Sequence, residues 1–323
     1  MENKILPRQL CALTLCAFTV PAVGLLPRAG WLWAGIAAAV AAGLLAAGAV
    51  LCRKKGGSLV ELAAQSGCGR WCLRLLLIWN LLALGTAARY LCEVYPGSGA
   101  FPLVGALLLL LAAYAAGKGV SAVVRAGAIC FFFFVALYAL LFGFSLPQMR
   151  AAWVKPVLRP AWTLLPAALA PAGALALTGH CRERKGRISG WLPGGMGLAV
   201  LAALVTAGCV SPEVAGAEPF AFYTMSKSIS LFGAMERFEA LVSAALTAGG
   251  FCLLALVCLV NAEIAKTLRQ GAGKAVPTAN FLLGGAAIFL GSGIPAAVMA
   301  VGTAIFWGAL PLGIPLLAKR KKH

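Results

Sequence analysis

The chain reads as a succession of long apolar runs separated by short clusters of basic and small polar residues. A helix needs about 17–25 apolar residues to cross a hydrocarbon core of about 30 Å. On that criterion about ten spans are predicted, near 10–26, 31–51, 72–94, 101–117, 126–145, 160–179, 190–210, 231–262, 279–295 and 297–317. Lys4 and Arg8 precede the first run as they would in a secretory signal, yet no small-x-small cleavage site closes it, so a retained helix is expected. Between spans two and three, Ser58-Leu-Val-Glu61 has capping-box spacing. It predicts a short amphipathic helix at the cytoplasmic interface with Leu59, Leu62 and Ala63 on its apolar side. The stretch 211–230, with Glu213, Glu218, Phe220, Phe222, Tyr223 and Lys227, predicts an outer loop with a short surface helix.

Composition narrows the class. The chain is 62% hydrophobic and 11% charged, with a mean hydropathy of +0.93, which excludes an ordinary soluble domain. The expected fold is an all-α polytopic membrane protein, a single transmembrane domain over residues 1–323. A net charge of +18 would suit a nucleic-acid groove, but the basic residues sit in short clusters between apolar runs and read as topology determinants, so no nucleic-acid partner is expected. With the N-terminus in the cytoplasm, most of the 27 Lys and Arg fall inside, among them Arg53, Lys54, Lys55, Arg182, Arg184, Lys185, Arg187 and the tail from Lys319 to Lys322. Outer loops hold Arg28, Arg150, Lys155, Arg159 and Lys227, and both termini are therefore placed in the cytoplasm.

The eleven cysteines lie mostly inside spans without ligand-like spacing and read as small apolar fillers. There is no Asp, and the two histidines, His180 and His323, fall at an inner helix end and at the C-terminus. No nucleophile with a base, metal-ligand set or phosphate loop is present, so neither catalysis, metal nor cofactor is expected.

Ten spans divide into two sets of five, about 10–145 and 160–317, and an odd number per set makes the second cross in the opposite sense, the inverted-repeat plan of many transporters. The first span of each set carries proline and glycine: Val20-Pro21-Ala22-Val23-Gly24 in span one, and Pro171-Ala172-Gly173 in span six. Proline removes an N–H and clashes with the carbonyl one turn back, while glycine permits unusual dihedrals, so both segments are expected to break and to free backbone polar groups for a ligand, an ion or water. A plain proline kink packed against its neighbours is the alternative.

Charge inside apolar runs is the other signal. Span eight carries Glu236, Arg237 and Glu239, followed along the helix by Ser243 and Thr247. Span three carries Thr86 near mid-membrane with Arg89 and Glu93 toward the outside. Charged groups cost about 2.5–3.5 kcal/mol at a bilayer centre and normally face a bundle interior or a hydrated cavity. The two groups are expected to meet across spans three and eight as a hydrated outer vestibule or gate, with Glu239 the best proton-coupling candidate. The alternative is that Glu93 and Glu236 only reach interfacial water.

The stretch from Tyr223 through Ser226, Lys227, Leu231 and Phe232 to Glu236-Arg237-Phe-Glu239 resembles the loop and eighth helix of the spore germination receptor B subunits, or endospore permeases. Gln9-Leu10 followed by Gly24-Leu25-Leu26-Pro27 is similar to their first helix. That family belongs to the amino acid–polyamine–organocation transporter superfamily. The resemblance implies a five-plus-five inverted repeat with a nutrient site between broken helices one and six, flanked by helices three and eight. It implies partners too, an A subunit and a lipoprotein C subunit in the inner spore membrane, with germinant nutrients, often amino acids, triggering ion release. Carried over by position, it places ligand contacts at Val20, Pro21, Ala22, Val23 and Gly24, and at Ser243 and Thr247 by extension of the eighth helix; span six is matched by order and by its break. Pro21 and Pro171 stand where more glycine-rich breaks are usual, and the chain is shorter than typical members.

An amino acid near Val23-Gly24 or Ala172-Gly173 would lay its carboxylate on free N–H groups, its ammonium meeting hydroxyls such as Thr86 or Thr247. A small uncharged side chain is expected from the many small apolar residues. Two functions share this fold, a nutrient-sensing receptor subunit and a stand-alone H⁺- or Na⁺-coupled amino acid transporter; a scaffold that binds nothing is the third.

Overall fold

A computed structural model describes residues 5–93, 101–156, 162–181, 192–228, 238–269, 275–289 and 295–318. The chain is a helical membrane protein. Its first two crossings form one unit, Pro7–Lys55: α1 (Pro7–Thr19), a π-helical turn (Val20–Leu25), a 3₁₀ turn (Leu26–Ala29) and α2 (Gly30–Lys55). Pro7 occupies the first helical position, where its missing N–H costs nothing, and Gln9 Oε1 accepts from Leu6 N at 3.2 Å. Gly30, with φ of 77°, turns the chain back, and α2 ends at Gly56, with φ of 78°, behind Arg53, Lys54 and Lys55. A glycine in the left-handed region and cations in the last turn are how a helix end is satisfied.

The first half continues through α3 (Leu59–Gln65), α4 (Gly69–Glu93), α5 (Phe101–Gly117) and α6 (Val120–Ser145). The capping box forms, with Glu61 N donating to Ser58 Oγ at 3.3 Å and Ser58 N to Glu61 Oε2 at 3.1 Å. The helix is amphipathic, with Leu59, Val60, Leu62 and Ala63 buried against α4 and its neighbours and Glu61 exposed.

The second half opens with Leu165–His180, which is 3₁₀-helical throughout its 16 residues. A 3₁₀ helix rises about 2.0 Å per residue, so this segment reaches about 32 Å, enough to cross the hydrocarbon core. Then come α7 (Leu192–Val210), α8 (Pro212–Ala217), α9 (Ala221–Ser228), α10 (Phe238–Leu268), α11 (Val276–Phe289) and α12 (Ala296–Thr303), followed by a second π-turn (Ala304–Ala309) and α13 (Leu310–Leu317). The first and sixth crossings in order are both irregular, and the last crossing carries the second π-turn.

α10 is the central post, packing on α1, α4, α5, α6 and the 3₁₀ rod. Two adjacent glycines let it approach closely. A Cβ at Gly249 would meet Thr19 Oγ1 of α1, and one at Gly250 would meet the Leu91 side chain of α4 at 2.5 Å. Large apolar residues point outward, such as Ile129 and Phe132 on α6 and Leu282 on α11. In a bilayer these face lipid, where exposure of apolar surface carries no penalty.

Candidate functional site

The first break takes a specific form. Pro21 cannot donate to the helix ladder, and the chain passes through a wider turn in which Leu26 N reaches Pro21 O. The helix changes type without ending, and Val20, Pro21, Ala22, Val23 and Gly24 are all buried. The five-residue reach of that hydrogen bond is how a π-turn absorbs the proline, and the backbone at Val23-Gly24 is buried within it.

Aromatic side chains close the turn. Tyr90 of α4 lies against Gly24, where a Cβ would come within 2.8 Å of its hydroxyl. Phe220, just before α9, packs on Tyr90 with ring centroids 5.0 Å apart, and Phe222 packs edge-on against Tyr138 and Phe142 of α6 at 6.5 and 6.1 Å. Phe220, Phe222 and Met225 are buried. Within the stretch expected to be an outer loop with a short surface helix, α8 is largely exposed, whereas the aromatic residues that follow are inserted as a lid, because they gain more from burial than an exposed loop allows. The hydroxyl of Tyr90 and the Arg28 Nε are buried with no hydrogen-bond partner among the described residues.

Pro171, Ala172 and Gly173 are buried at the middle of the 3₁₀ rod. Gly173 faces α10 and the second π-turn, a Cβ there lying 3.0 Å from Val260 Cγ2 and 3.7 Å from Trp307 Cη2. The two irregular segments touch, but their glycines open onto different neighbours. Each of the candidate hydroxyls, Thr86 and Thr247, has a partner on its own helix. Thr86 Oγ1 donates to Leu82 O at 3.0 Å and sits 3.8 Å from Met299 Sδ of α12. Thr247 Oγ1 donates to Ser243 O at 2.7 Å, and both residues are half-buried.

Of the charged groups, Arg89 Nε lies 3.5 Å from Glu93 Oε1, one turn on in the same helix and partly exposed. Glu239 is half-buried in the first turn of α10. Glu236 and Arg237 fall outside the described residues.

Sequence reading weighted charges and passed over uncharged amides. Asn80, Asn261 and Asn280 are buried at 0–1% exposure inside apolar helices. Asn261 Nδ2 donates to Asn280 Oδ1 at 2.9 Å, joining α10 to α11, and Trp307 Nε1 donates to Asn80 Oδ1 at 3.0 Å. His180, placed by the sequence at an inner helix end, pairs its Nε2 with Glu263 Oε2 at 3.2 Å, and Lys266 Nζ holds the other oxygen at 2.7 Å. His180 O also accepts from Ile5 N at 3.0 Å, and Ile5 bridges to Cys181. The N-terminal segment, the 3₁₀ rod and α10 are thus tied together at one end of the bundle.

Among the described residues no group of three or more His, Cys, Asp or Glu could hold a metal ion. A crevice beside the first break, lined by Phe18, Ala38, Ala41, Ala168, Leu192 and Met196, measures about 10 Å³, the space of about one water, and its apolar walls would keep it dry.

Comparisons with known proteins bear on the fold. No protein-family model matches the chain, and no curated protein matches it. Among solved structures it is similar to Mhp1, a nucleobase-cation-symport-1 family transporter, in a closed conformation with bromovinylhydantoin bound. That match has a TM-score of 0.60 at 12% identity and covers 97% of this chain and 78% of that one. The chain has a transporter-like fold of the helical membrane class.

Proposed function

We propose that this chain is a membrane-embedded subunit that senses a small nutrient, an amino acid by the chemistry of its helix breaks, within a spore germination receptor of the inner spore membrane. The observation that carries the reading is the π-turn at Val20–Leu25. It interrupts a membrane helix at the residues where the motif resemblance puts germinant contacts, and it is closed under a lid of Phe220 and Phe222. Opening the turn releases N–H groups at Val23 and Gly24 toward a carboxylate, an alignment that helix N-termini favour. Ser243, Thr247 and Thr86 supply hydroxyls from flanking helices; Pro171, Ala172 and Gly173 form the opposite wall. Arg89, Glu93, Glu236, Arg237 and Glu239 serve as the outer gate or coupling group. An A subunit and a lipoprotein C subunit are its partners, and the bilayer is its solvent.

A second reading, a stand-alone H⁺- or Na⁺-coupled amino acid transporter, draws support from the likeness to a cation symporter. Reconstitution separates the two. Purified chain in proteoliposomes with an imposed proton or sodium gradient should bind radiolabelled L-alanine without accumulating it if it is a sensing subunit. Gradient-driven accumulation by the chain alone would establish the transporter. Absence of saturable binding to any of the twenty amino acids, with or without the partner subunits, would remove both.

A further inference from the structure

A second polar site lies deeper, between α4 and the second π-turn, and none of the residues read as functional from sequence, apart from the edge of Gly173, belongs to it. Trp79 and Asn80 of α4 are 7% and 1% exposed. Trp79 stacks on Phe306, with ring centroids 5.5 Å apart and planes 17° from parallel, and Asn80 accepts from Trp307. The backbones of α4 and the π-turn stay largely apart here, and these side chains fill the interval. Glycine makes room for them: a Cβ at Gly302 would run into the Trp79 ring.

The hydrogen bonding is incomplete. An indole N–H can only donate, so Trp307 fixes the Asn80 amide with its oxygen toward the π-turn and its Nδ2 elsewhere. Asn80 Nδ2 and Trp79 Nε1 are both buried with no acceptor among the described residues. Each such donor costs about 1–3 kcal/mol, and interiors retain few of them. Two on adjacent residues at mid-helix depth, beside a π-turn of the kind that recurs at functional sites, lack acceptors rather than donors.

We propose that this interval binds a neutral, flat, carbonyl-bearing small molecule. Its ring takes the place of Phe306 against the Trp79 face when the π-turn shifts, Trp307 continues to hold the Asn80 oxygen, and the ligand's carbonyl oxygen accepts from Asn80 Nδ2 and Trp79 Nε1. A charged ligand is disfavoured, since the buried polar groups among the described residues here are amide and indole, and ionised groups are costly in such surroundings. The site is distinct from the nutrient contacts proposed at the first break.

The test uses the full chain in lipid nanodiscs and three probes: indole-3-carboxamide, indole, which lacks the carbonyl, and benzoate, which carries a charge. Equilibrium dialysis should show saturable binding of indole-3-carboxamide, at least about tenfold tighter than either of the others. Trp79→Phe keeps a stacking ring and removes one donor; Asn80→Leu removes the other. Asn80→Leu should weaken the carboxamide about tenfold or more while leaving indole binding unchanged, and Trp79→Phe, which also trims the stacking face, should weaken the carboxamide more than it weakens indole. Gly24→Val should leave the carboxamide unaffected while abolishing amino acid binding, so that failure at one site is distinguishable from failure at the other. Equal affinity for indole and its carboxamide, no saturable binding, or undiminished binding by both donor variants would overturn the proposal.

Discussion

Gly24 shows how one missing methyl sets a local structure. Its hydrogen faces the Tyr90 hydroxyl across a distance that leaves no room for a Cβ, so Gly24→Ala should destabilise the chain by about 1–3 kcal/mol, the usual cost of overpacking. Tyr90→Phe removes an oxygen that is buried without a partner among the described residues and should be neutral or stabilising alone. Combined, the two should cost less than Gly24→Ala by itself. Thermal unfolding of the four proteins in detergent would check this, and strict additivity would show that the glycine is needed for another reason. At this scale the sequence was partly legible. Pro21 and Gly24 announced an irregular turn because proline and glycine act locally. Asn80 did not announce its partner, because Trp307 lies 227 residues away and no local pattern encodes that separation.

Helices obey the same division between local and distant causes. The start of α3 could be read from Ser58 and Glu61, which bond to each other's backbone within one turn. Its burial could not, since that depends on which surfaces the folded bundle leaves uncovered. Likewise the aromatic residues of 220–223 look like a loop from sequence and become a lid only when α6 presents Tyr138 and Phe142 beneath them. The 3₁₀ character of Leu165–His180 was not expected, although Pro171 inside it made an ordinary helix there unfavourable. Between elements, the Asn261–Asn280 pair is a clasp whose strength can be measured. Asn261→Leu should cost about 1–3 kcal/mol by leaving the Asn280 side chain with an unmet acceptor. The double leucine variant should lose less than the sum of the two single variants. Equal losses that simply add would mean that the amides do not act as a pair.

For the whole molecule, the tie among Ile5, His180 and Glu263 closes one end of the bundle, and the lid closes the turn at the other irregular crossing. Cys181 is buried at 4% exposure next to that tie. In a Cys68→Ser background, which removes an exposed thiol, Glu263→Gln should speed alkylation of Cys181 by a membrane-impermeant maleimide several-fold. An unchanged rate would show that the pair does not hold this end shut. Nutrient binding that opens the first break should move the lid as well, so fluorescence from a label on α9 should change on adding ligand, and no change would separate the lid from the binding event.

The sixth crossing is also a matter of reach. Wound as an ordinary helix, its sixteen residues would extend about 24 Å, short of the hydrocarbon thickness of about 30 Å. Only the drawn-out winding lets so few residues act as a strut from one leaflet to the other. Any tightening toward the common winding must shorten the strut by about 8 Å and haul on its histidine-bearing foot, so a change of helical pitch at the centre becomes a mechanical stroke at the membrane surface.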